Sequence, residues 1–369
     1  TQGIQNPPPF GCESSSLSFG TIRDHYLKLQ DYDFSLPEEL IAKEPPEIRG
    51  TSRLLILNKE LEDKKIQDFG ETLNPGDLLV LNDTKVLKAR LDTRKPTGGF
   101  VEVLIERLLE NNCALAQTKS NRSIREGDFI KIENTSLEIQ ILDKEGSLYK
   151  IQFPEDPKEI LDLHGKVPLP PYIKRIADKQ DEERYQTVYA NAAKENSVAA
   201  PTAGLHFSKA QLTKIQEKGV EIVYITLDIG LGTFSPIRFE NVEDHVMHQE
   251  KLSVDKKTAD SINKVLESDS RVIAVGTTVL RCLESVYTKF NGIKPYEGET
   301  DLFIYPGHKF GIVDSLLTNF HLPKSSLFIL VCAFGGTQNL KFAYRYAVEQ
   351  NYKFFSYGDA MLINKFNGY

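Results

Sequence analysis

One stretch of the chain concentrates residues that could do proton chemistry. Between Ser197 and Phe207 the residues are mostly small, with a proline at Pro201, a glycine at Gly204 and a histidine at His206. Small residues let a ligand approach the backbone closely, and an imidazole can move a proton near neutral pH. The competing interpretation is a tight core turn whose histidine only bonds a carbonyl. This stretch alone leaves both interpretations open.

The residues that follow predict a helix with His206 at its entrance. Ser208 and Gln211 have the spacing of a capping box, and Gly219 is placed to end the helix in a left-handed conformation. The first turn of a helix favours a bound anion. We therefore expect His206 to be held in a fixed loop beside a site for an anionic group.

Two glycine-containing loops are further candidates for ligand binding. Gly276, Thr277 and Thr278 lie where a predicted strand turns into a helix, so their amides and hydroxyls could hold a carboxylate or a phosphate. An ordinary glycine turn with threonine capping explains them equally well. Gly230 and Gly232 lack the third glycine and the helix start of a dinucleotide fingerprint, so we interpret them as a loop whose backbone lies against a ligand.

The remaining histidines do not form a metal-binding pattern. His245, His248 and Glu250 lie close together, and His321 lies in a separate segment. A zinc site needs three or four converging ligands, and this segment lacks the helical spacing of the H-E-x-x-H motif. We therefore expect no metal ion and no bound cofactor.

Alternating strands and helices are predicted to position these residues. Helical patterns occur within 33–42, after Ser208, after Gly276, after Ser325 and at Leu340–Gln350. The alternation is typical of a mixed or parallel sheet with flanking helices, which places its ligands at the carboxyl ends of strands. The strands of this α/β fold are predicted at Arg53–Leu57, Leu78–Leu81, Val220–Leu227, Arg271–Val275 and Phe354–Asp359.

Short strands replace this pattern between Lys88 and Pro154. Their spacing predicts a small antiparallel β-barrel inserted into the α/β domain. We expect a barrel domain at 88–158, a discontinuous α/β catalytic domain at 27–87 and 159–369, and a flexible tail or upstream extension at 1–26. The barrel strands are predicted at Ala89–Thr93, Phe100–Leu108, Cys113–Thr118, Asp128–Ile132, Leu137–Leu142 and Tyr149–Phe153.

Composition is compatible with a globular protein of two domains. The 369 residues are 40% hydrophobic, which is enough for a sizeable core. The net charge of −7 neither indicates nor excludes nucleic-acid binding, because phosphates respond to local patches. Four widely spaced cysteines argue against a disulfide framework and favour a reducing cytoplasm. Neither a membrane span nor a signal peptide is predicted.

Several motifs together resemble one enzyme family. From about Asp31 to Ile363 the chain is similar to the S-adenosylmethionine:tRNA ribosyltransferase-isomerases, the queuosine-pathway enzymes. It departs from the family pattern at Lys43, Lys88 and Asn196, where glutamine, proline and glycine are usual. The motifs are Leu169–Lys174, Arg184–Tyr189, Ala199–Phe207, Gly230–Phe234, Val275–Thr278, Asp301–Gly307, Thr318–Pro323 and Gly358–Leu362.

This resemblance implies an unusual use of S-adenosylmethionine. The family transfers and isomerises the ribosyl part of this co-substrate onto 7-aminomethyl-7-deazaguanine at the wobble position of tRNA. The product is epoxyqueuosine, and adenine and methionine are released. The implied fold, an α/β domain with an inserted barrel, agrees with the patterns above. The implied partner is the anticodon loop of tRNA, and we expect a cytoplasmic monomer with no membrane association.

The resemblance also suggests roles for particular residues. The sulfonium acidifies the C5′ hydrogens, so a base is needed there, and an acid must protonate the departing adenine. We assign the base to His206 or His321, and adenine protonation or ribose contacts to His248, Glu250 or Asp359. The candidates for donor binding are Thr202, Gly204, Gly230, Gly232, Thr233, Gly276, Thr277, Thr278 and Glu250, and those for tRNA binding are Lys85, Lys88, Arg90, Lys174 and Arg175.

Two other classes of function are compatible with the motifs. A methyltransferase on the same scaffold would transfer a labelled methyl group from the donor. A non-catalytic tRNA-binding protein would bind tRNA through the barrel and consume no donor. An ordered set of loop motifs at strand ends favours an enzyme, because a binding module does not need such a site.

Overall fold

The computed structural model describes residues 27–58, 60–230, 232, 237 and 239–366. The predicted tail at 1–26 and the candidate Thr233 therefore lie outside the described residues. The α-helices are α1 (Pro157–His164), α2 (Lys179–Arg184), α3 (Lys209–Glu217), α4 (Lys256–Leu266), α5 (Thr277–Phe290), α6 (Ser326–Gly335) and α7 (Thr337–Glu349).

Seventeen strands are assigned in the described part of the chain. They are β1 (Arg53–Leu57), β2 (Leu61–Lys65), β3 (Leu78–Asn82), β4 (Lys85–Val86), β5 (Arg90–Arg94), β6 (Phe100–Leu108), β7 (Cys113–Ser120), β8 (Phe129–Ile132), β9 (Glu138–Glu145), β10 (Leu148–Gln152), β11 (Glu195–Ser197), β12 (Glu221–Leu227), β13 (Glu250–Val254), β14 (Val272–Val275), β15 (Tyr296–Thr300), β16 (Ser315–Asn319) and β17 (Ala360–Asn364).

The main sheet has nine strands in the order β15-β13-β12-β3-β14-β16-β17-β1-β2. The four neighbours β12, β3, β14 and β16 run parallel, whereas β17 is antiparallel to β16 and β1 is parallel to β17. The carboxyl ends of the parallel strands therefore meet the amino ends of β17 and β1 at one edge. Open α/β sheets place ligands at such an edge.

Strand β3 shows why the centre of this sheet is stable. All five of its residues are buried, as is typical of a parallel strand covered on both faces. Leu78 and Val80 pack into a cluster with residues of α4, α5, α6 and α7. Leu79 and Leu81 pack on the opposite face against Leu212 of α3 and its neighbours. Helices thus cover both faces of the sheet.

The strands β5 to β10 close into a barrel in the order β10-β7-β6-β5-β8-β9. Side chains alternate along β6, where Val101, Val103 and Ile105 point into the barrel core. Neighbouring barrel strands are antiparallel. The predicted fold class, a mixed sheet with flanking helices and an inserted antiparallel barrel, is confirmed.

The predicted helix after His206 is also confirmed in detail. The Gln211 N–H donates to the Ser208 hydroxyl at 3.2 Å, and the Ser208 N–H donates to the Gln211 side chain at 2.9 Å. Gly219 follows the helix with φ +90°, as the left-handed termination requires. No helix in the described part of the chain is long and apolar enough to cross a membrane.

Two local predictions are wrong. The segment Phe354–Asp359 is a turn, because Phe355 takes φ +75° and ends the extended conformation; the strand is the following apolar run, β17. The helical pattern within 33–42 forms no α-helix there and a single 3-10 turn, at Glu38–Leu40. Ile41 already has extended dihedral angles and forms a bridge with Phe354, which stops the helix.

Candidate active site

The sheet edge holds a small cavity that we call the histidine cavity. It encloses about 50 Å³. The loop after β14 contributes Gly276 to Thr278, and the end of β16 contributes Thr318 to His321. Thr202 and Phe355 come from two further segments. The described residues that line it are Ala200, Pro201, Thr202, Ala203, Ile229, Gly276, Thr277, Thr278, Thr318, Asn319, Phe320, His321, Leu327, Phe355 and Ser356.

Asn319, at the end of β16, hydrogen-bonds to two other segments, the turn at Phe355 and the loop that ends at His206. Its Nδ2 donates to the Phe355 carbonyl at 3.1 Å and lies 3.2 Å from His206 Nε2. A carbonyl oxygen can only accept, so Phe355 fixes which end of the amide carries the N–H groups. His206 Nε2 must then accept, which places the imidazole proton of His206 on Nδ1.

Burial keeps both central histidines neutral. Burial lowers the pKa of His206 to about 4, with a smaller contribution from the Arg49 guanidinium, and burial lowers the pKa of His321 to about 3. His321 is held by Thr318, whose hydroxyl lies 3.1 Å from Nε2, and its backbone N–H donates to the Tyr344 hydroxyl at 3.0 Å. Near neutral pH both imidazoles are therefore uncharged, and one ring nitrogen of each carries no proton.

Phe355 holds a strained conformation at the cavity wall. Its φ of +75° is unusual for a bulky side chain and costs on the order of 1–3 kcal/mol. The ring packs on Tyr172 at 3.9 Å between centroids, and the Tyr172 hydroxyl bonds Ser356. The strained turn is what directs the Phe355 carbonyl to Asn319, so it positions the link to His206.

A second cavity of about 90 Å³ lies beside the first, and we call it the glycine-loop cavity. Asp228, Gly230, His248 and Glu250 line it, and Ile229 lines both cavities. The Gly230 N–H donates to Glu250 Oε1 at 3.2 Å. Glu250 also forms a buried ion pair with Arg281 of α5. Glu250 therefore ties the glycine loop to the helix that begins at the histidine cavity.

A third space separates the barrel from the sheet, and we call it the interdomain cleft. It encloses about 730 Å³, and it shares Glu106, Arg107, His248 and Gln249 with the glycine-loop cavity. The barrel side includes Leu115, Gln117 and Thr118, and the sheet side includes Gly232, Phe239 and His245. A Cβ on Gly232 would lie 2.3 Å from the His248 ring, so only glycine permits this approach. Neighbouring spaces share lining residues, and we call this series of spaces, from His321 to the cleft, the path.

Comparison with known proteins identifies the family. A family model for queuosine biosynthesis proteins matches residues 29–363, which is most of the chain. The chain belongs to this family.

Relatives named S-adenosylmethionine:tRNA ribosyltransferase-isomerase match this chain along nearly its whole length. The Nitrosospira multiformis protein is 46% identical over 359 residues, covering 93% of this chain and 100% of the relative. The Francisella tularensis protein is 49% identical over 344 residues, covering 92% and 99%. The crystal structure of S-adenosylmethionine tRNA ribosyltransferase from Thermotoga maritima matches with a TM-score of 0.53 and 33% identity, covering 90% of this chain and 99% of that one.

The family motifs divide among the three spaces. Of the residues singled out from the sequence, Thr202, Gly276, Thr277, Thr278 and His321 line the histidine cavity. Gly230, His248 and Glu250 line the glycine-loop cavity, and Gly232 lines the cleft. His206 lies behind the histidine cavity, in contact with Asn319. Gly204 lines none of the three; it packs beneath Tyr189, whose hydroxyl a Cβ there would meet at 2.0 Å.

Asp359 has a local bonding role away from the three spaces. Its carboxylate accepts from the backbone N–H groups of Arg53 and Lys353, each at 2.7 Å. Burial raises the pKa of Asp359, although these two N–H groups oppose the shift. The side chain thus joins the start of β1 to the turn that contains Phe355.

All five basic residues predicted to bind tRNA are paired with carboxylates. None of them lines the three spaces described here. The pairs are Lys85 with Glu195 at 2.8 Å, Lys88 with Glu182 at 3.1 Å, Arg90 with Glu102 at 2.9 Å, Lys174 with Glu38 at 2.7 Å and Arg175 with Asp181 at 2.8 Å.

Asn319 and Arg107 are the residues that sequence reasoning missed. Asn319 ends the buried strand β16 and stands two residues before His321, so a polar residue at a strand end was the available signal. Arg107 gave no such signal, because it lies at the end of a barrel strand among other charged residues. Its guanidinium donates to the Gln249 carbonyl at 2.9 Å, across the cleft.

Proposed function

We propose that the chain transfers and isomerises the ribosyl part of S-adenosylmethionine onto 7-aminomethyl-7-deazaguanine at the wobble position of tRNA. The products are epoxyqueuosine in tRNA, adenine and methionine. The observation that carries this proposal is the identity of 46–49% to relatives of that name over nearly the whole chain. The path from the histidine cavity to the cleft supports it, because the reaction joins a small donor to a macromolecule. We also propose that the reaction takes place in the cytoplasm and that the enzyme is a monomer.

His321 is our candidate for the base at C5′. It lines the histidine cavity, whereas His206 lies behind it. The Nε2 atom of each imidazole has one hydrogen-bond partner, Thr318 for His321 and Asn319 for His206. Burial disfavours an imidazolium in the unliganded site. The sulfonium of the donor, however, brings a positive charge with it. Proton transfer to His321 moves that charge from the sulfonium to the imidazole, so no additional charge is buried. Such a positioned base contributes about 10²–10⁴-fold in rate.

His248 is our candidate for protonating the departing adenine. It lines both the glycine-loop cavity and the cleft, so it borders the part of the path that lies between donor and tRNA. Glu250 is engaged with Arg281 and Gly230, and Asp359 with two backbone N–H groups. We therefore assign those two carboxylates to positioning the loops.

The interdomain cleft is our candidate site for the wobble base. A stacked base must leave the anticodon loop to react, and the cleft is the widest of the three spaces. Phosphates of the anticodon loop would contact basic residues outside the cleft. There they would replace the carboxylate partners of Lys85, Lys88, Arg90, Lys174 and Arg175. This exchange predicts binding that weakens steeply with salt despite the acidic total charge. A salt-independent affinity would contradict the assignment of these five residues.

The decisive experiment incubates the purified protein with S-adenosylmethionine and tRNA that carries the aminomethyl base. We expect one adenine released for each epoxy-cyclopentyl mass gain on the tRNA. The matched control is the same tRNA with guanine at the wobble position, from which no adenine should be released. Transfer of a labelled methyl group would instead support a methyltransferase. Binding of tRNA without donor consumption would support a binding protein.

A further inference from the structure

The histidine cavity contains two buried polar atoms that have no partner among the described residues. They are Asn319 Oδ1 and Thr278 Oγ1, and both residues line the cavity. Asn319 is 2% exposed, and its Nδ2 is committed to Phe355 and His206. Oδ1 is therefore the amide atom left for an occupant. Because buried polar groups are nearly always hydrogen-bonded, a ligand should supply a donor to Asn319 and a partner to Thr278.

Helix α5 begins at the same cavity without a side-chain cap. The Gly276 carbonyl accepts from the N–H groups of Val279 and Leu280, at 3.1 and 3.2 Å. The amides of Thr277 and Thr278 belong to the first turn, which has no partners within a helix. The positive end of a helix dipole favours an anionic group, and a carboxylate can accept from both an amide and a hydroxyl.

Charge and size restrict the occupant further. The described residues that line the cavity include no Asp, Glu, Lys or Arg, so the occupant must bring its own counter-charge. About 10–15 Å³ holds one water molecule, so the cavity of about 50 Å³ has room for only a few water-sized groups. The ammonium, Cα and carboxylate of an amino acid fit this description. The fused rings of a purine are too large.

We propose that the histidine cavity binds the amino-acid head of S-adenosylmethionine. The carboxylate accepts from the Thr278 hydroxyl and the first amides of α5, and the ammonium donates to Asn319 Oδ1. The sulfonium chain then passes His321, and the nucleoside extends past Ile229 into the glycine-loop cavity, towards the cleft. This inference rests on the proposed function, since it takes S-adenosylmethionine as the donor.

Two nucleoside ligands distinguish binding of the amino-acid head from binding of the rest of the donor. S-adenosylhomocysteine carries the amino-acid head, and 5′-methylthioadenosine has the same nucleoside and sulfur without it. Titration calorimetry compares both ligands on the wild type and on Thr278→Val, which removes only the hydroxyl. We expect the variant to weaken S-adenosylhomocysteine about 10- to 100-fold, the usual effect of losing a hydrogen bond to a charged group, and methylthioadenosine less than about twofold.

Two further variants control this experiment. Thr278→Ser keeps a hydroxyl and should bind both ligands as the wild type does. Thr213→Val removes an exposed hydroxyl that bonds the Lys209 carbonyl on α3, and it should also change neither affinity. Decarboxylated S-adenosylmethionine provides a direct test of the carboxylate. Its affinity should be insensitive to Thr278→Val.

Several outcomes would overturn the proposal. If Thr278→Val weakens both ligands equally, the Thr278 hydroxyl binds the nucleoside and not the amino-acid head. If the affinity for S-adenosylhomocysteine is unchanged, the Thr278 hydroxyl has no role in binding. If wild type releases adenine from S-adenosylmethionine and modified tRNA, either result overturns this inference alone. If neither ligand binds and no adenine is released, the proposed function fails as well.

Discussion

The two ends of the path differ in size, charge and exposure. The histidine cavity encloses about 50 Å³, and the interdomain cleft about 730 Å³. Buried, uncharged groups such as Asn319 and His321 form the first, whereas partly exposed charged groups such as Glu106 and Arg107 border the second. The cavity has room for only a few water molecules, so the loss of a hydrogen-bond partner there is costly. In the cleft, water and dissolved ions can replace a lost partner, which suits a surface for a large charged substrate.

Replacing the imidazole of His321 in the histidine cavity should have the largest effect. We expect His321→Ala to lower adenine release about 10²–10⁴-fold, because a positioned base is lost. Single-turnover assays with saturating donor and modified tRNA measure this rate. His164→Ala, an exposed histidine at the end of α1, is the matched control and should leave the rate unchanged. A His321→Ala rate within about threefold of wild type would remove His321 as the base.

Two ion pairs compare the same interaction in the two environments. Arg281 and Glu250 are 6% and 4% exposed in their side chains, whereas the pair of Arg107 and Glu299 across the cleft is 36% and 40% exposed. Arg281→Met should destabilise the fold by about 3–5 kcal/mol, because it leaves a buried carboxylate without its cation. Arg107→Met should cost less than about 1 kcal/mol. Chemical denaturation of both variants measures the difference, and equal losses would contradict the comparison.

The two buried histidines, His206 and His321, should also make the stability of the fold depend on pH. Burial holds the pKa of His206 at about 4 and of His321 at about 3, below the ordinary value of 6.5. Between about pH 6.5 and 4 the unfolded chain therefore binds protons that the folded chain does not. Stability contributed by the neutral histidines is full above pH 6.5 and falls as the pH drops, by up to about 1.4 kcal/mol per pH unit for each histidine.

Denaturation of the wild type and of His206→Gln between pH 7 and 4.5 tests this slope. The variant should lose part of the pH dependence whatever its absolute stability, because glutamine does not titrate. His164→Gln, at an exposed position at the end of α1, serves as the control. An unchanged slope in His206→Gln would show that this histidine does not contribute to the pH dependence.

A substitution in the interdomain cleft should give the smallest effect. Arg107→Ala should weaken tRNA binding only a few-fold at low salt, because its partly exposed charge is screened, and the loss should shrink as salt rises. Fluorescence titration with labelled tRNA at two salt concentrations measures this loss. A large loss at high salt would mean that Arg107 makes a desolvated contact, contrary to the comparison.

Local signals explain the parts of the fold that could be predicted. The capping box from Ser208 to Gln211 spans four residues, and the alternation along Phe100–Leu108 is visible within one strand. Such patterns depend on neighbours in sequence, so they can be recognised before the fold is known. The prediction at Phe354–Asp359 failed because aromatic residues also favour strands, and nothing local revealed the left-handed Phe355.

The candidate site was predictable in its motifs more than in its connections. The resemblance singled out His321, Thr278 and Gly230, which line the cavities. It did not single out Asn319, although this residue belongs to the same motif as His321. It also proposed chemistry for Asp359, whose carboxylate accepts from two backbone N–H groups. Residue type suggests which chemistry a side chain can perform, but its hydrogen-bond partners in the fold determine which of its atoms are available for that chemistry.

The sequence by itself determined the family, the barrel strands, four strands of the main sheet and the capping box at Ser208, because each is recorded in local pattern or in motif order. Only the tertiary structure decided that Asn319 fixes the tautomer of His206 across 113 residues of chain. It alone decided that the histidine cavity adjoins the glycine-loop cavity at Ile229 and that the glycine-loop cavity adjoins the cleft. Bonds between distant residues depend on how the elements pack, and burial then sets which groups lose their charge.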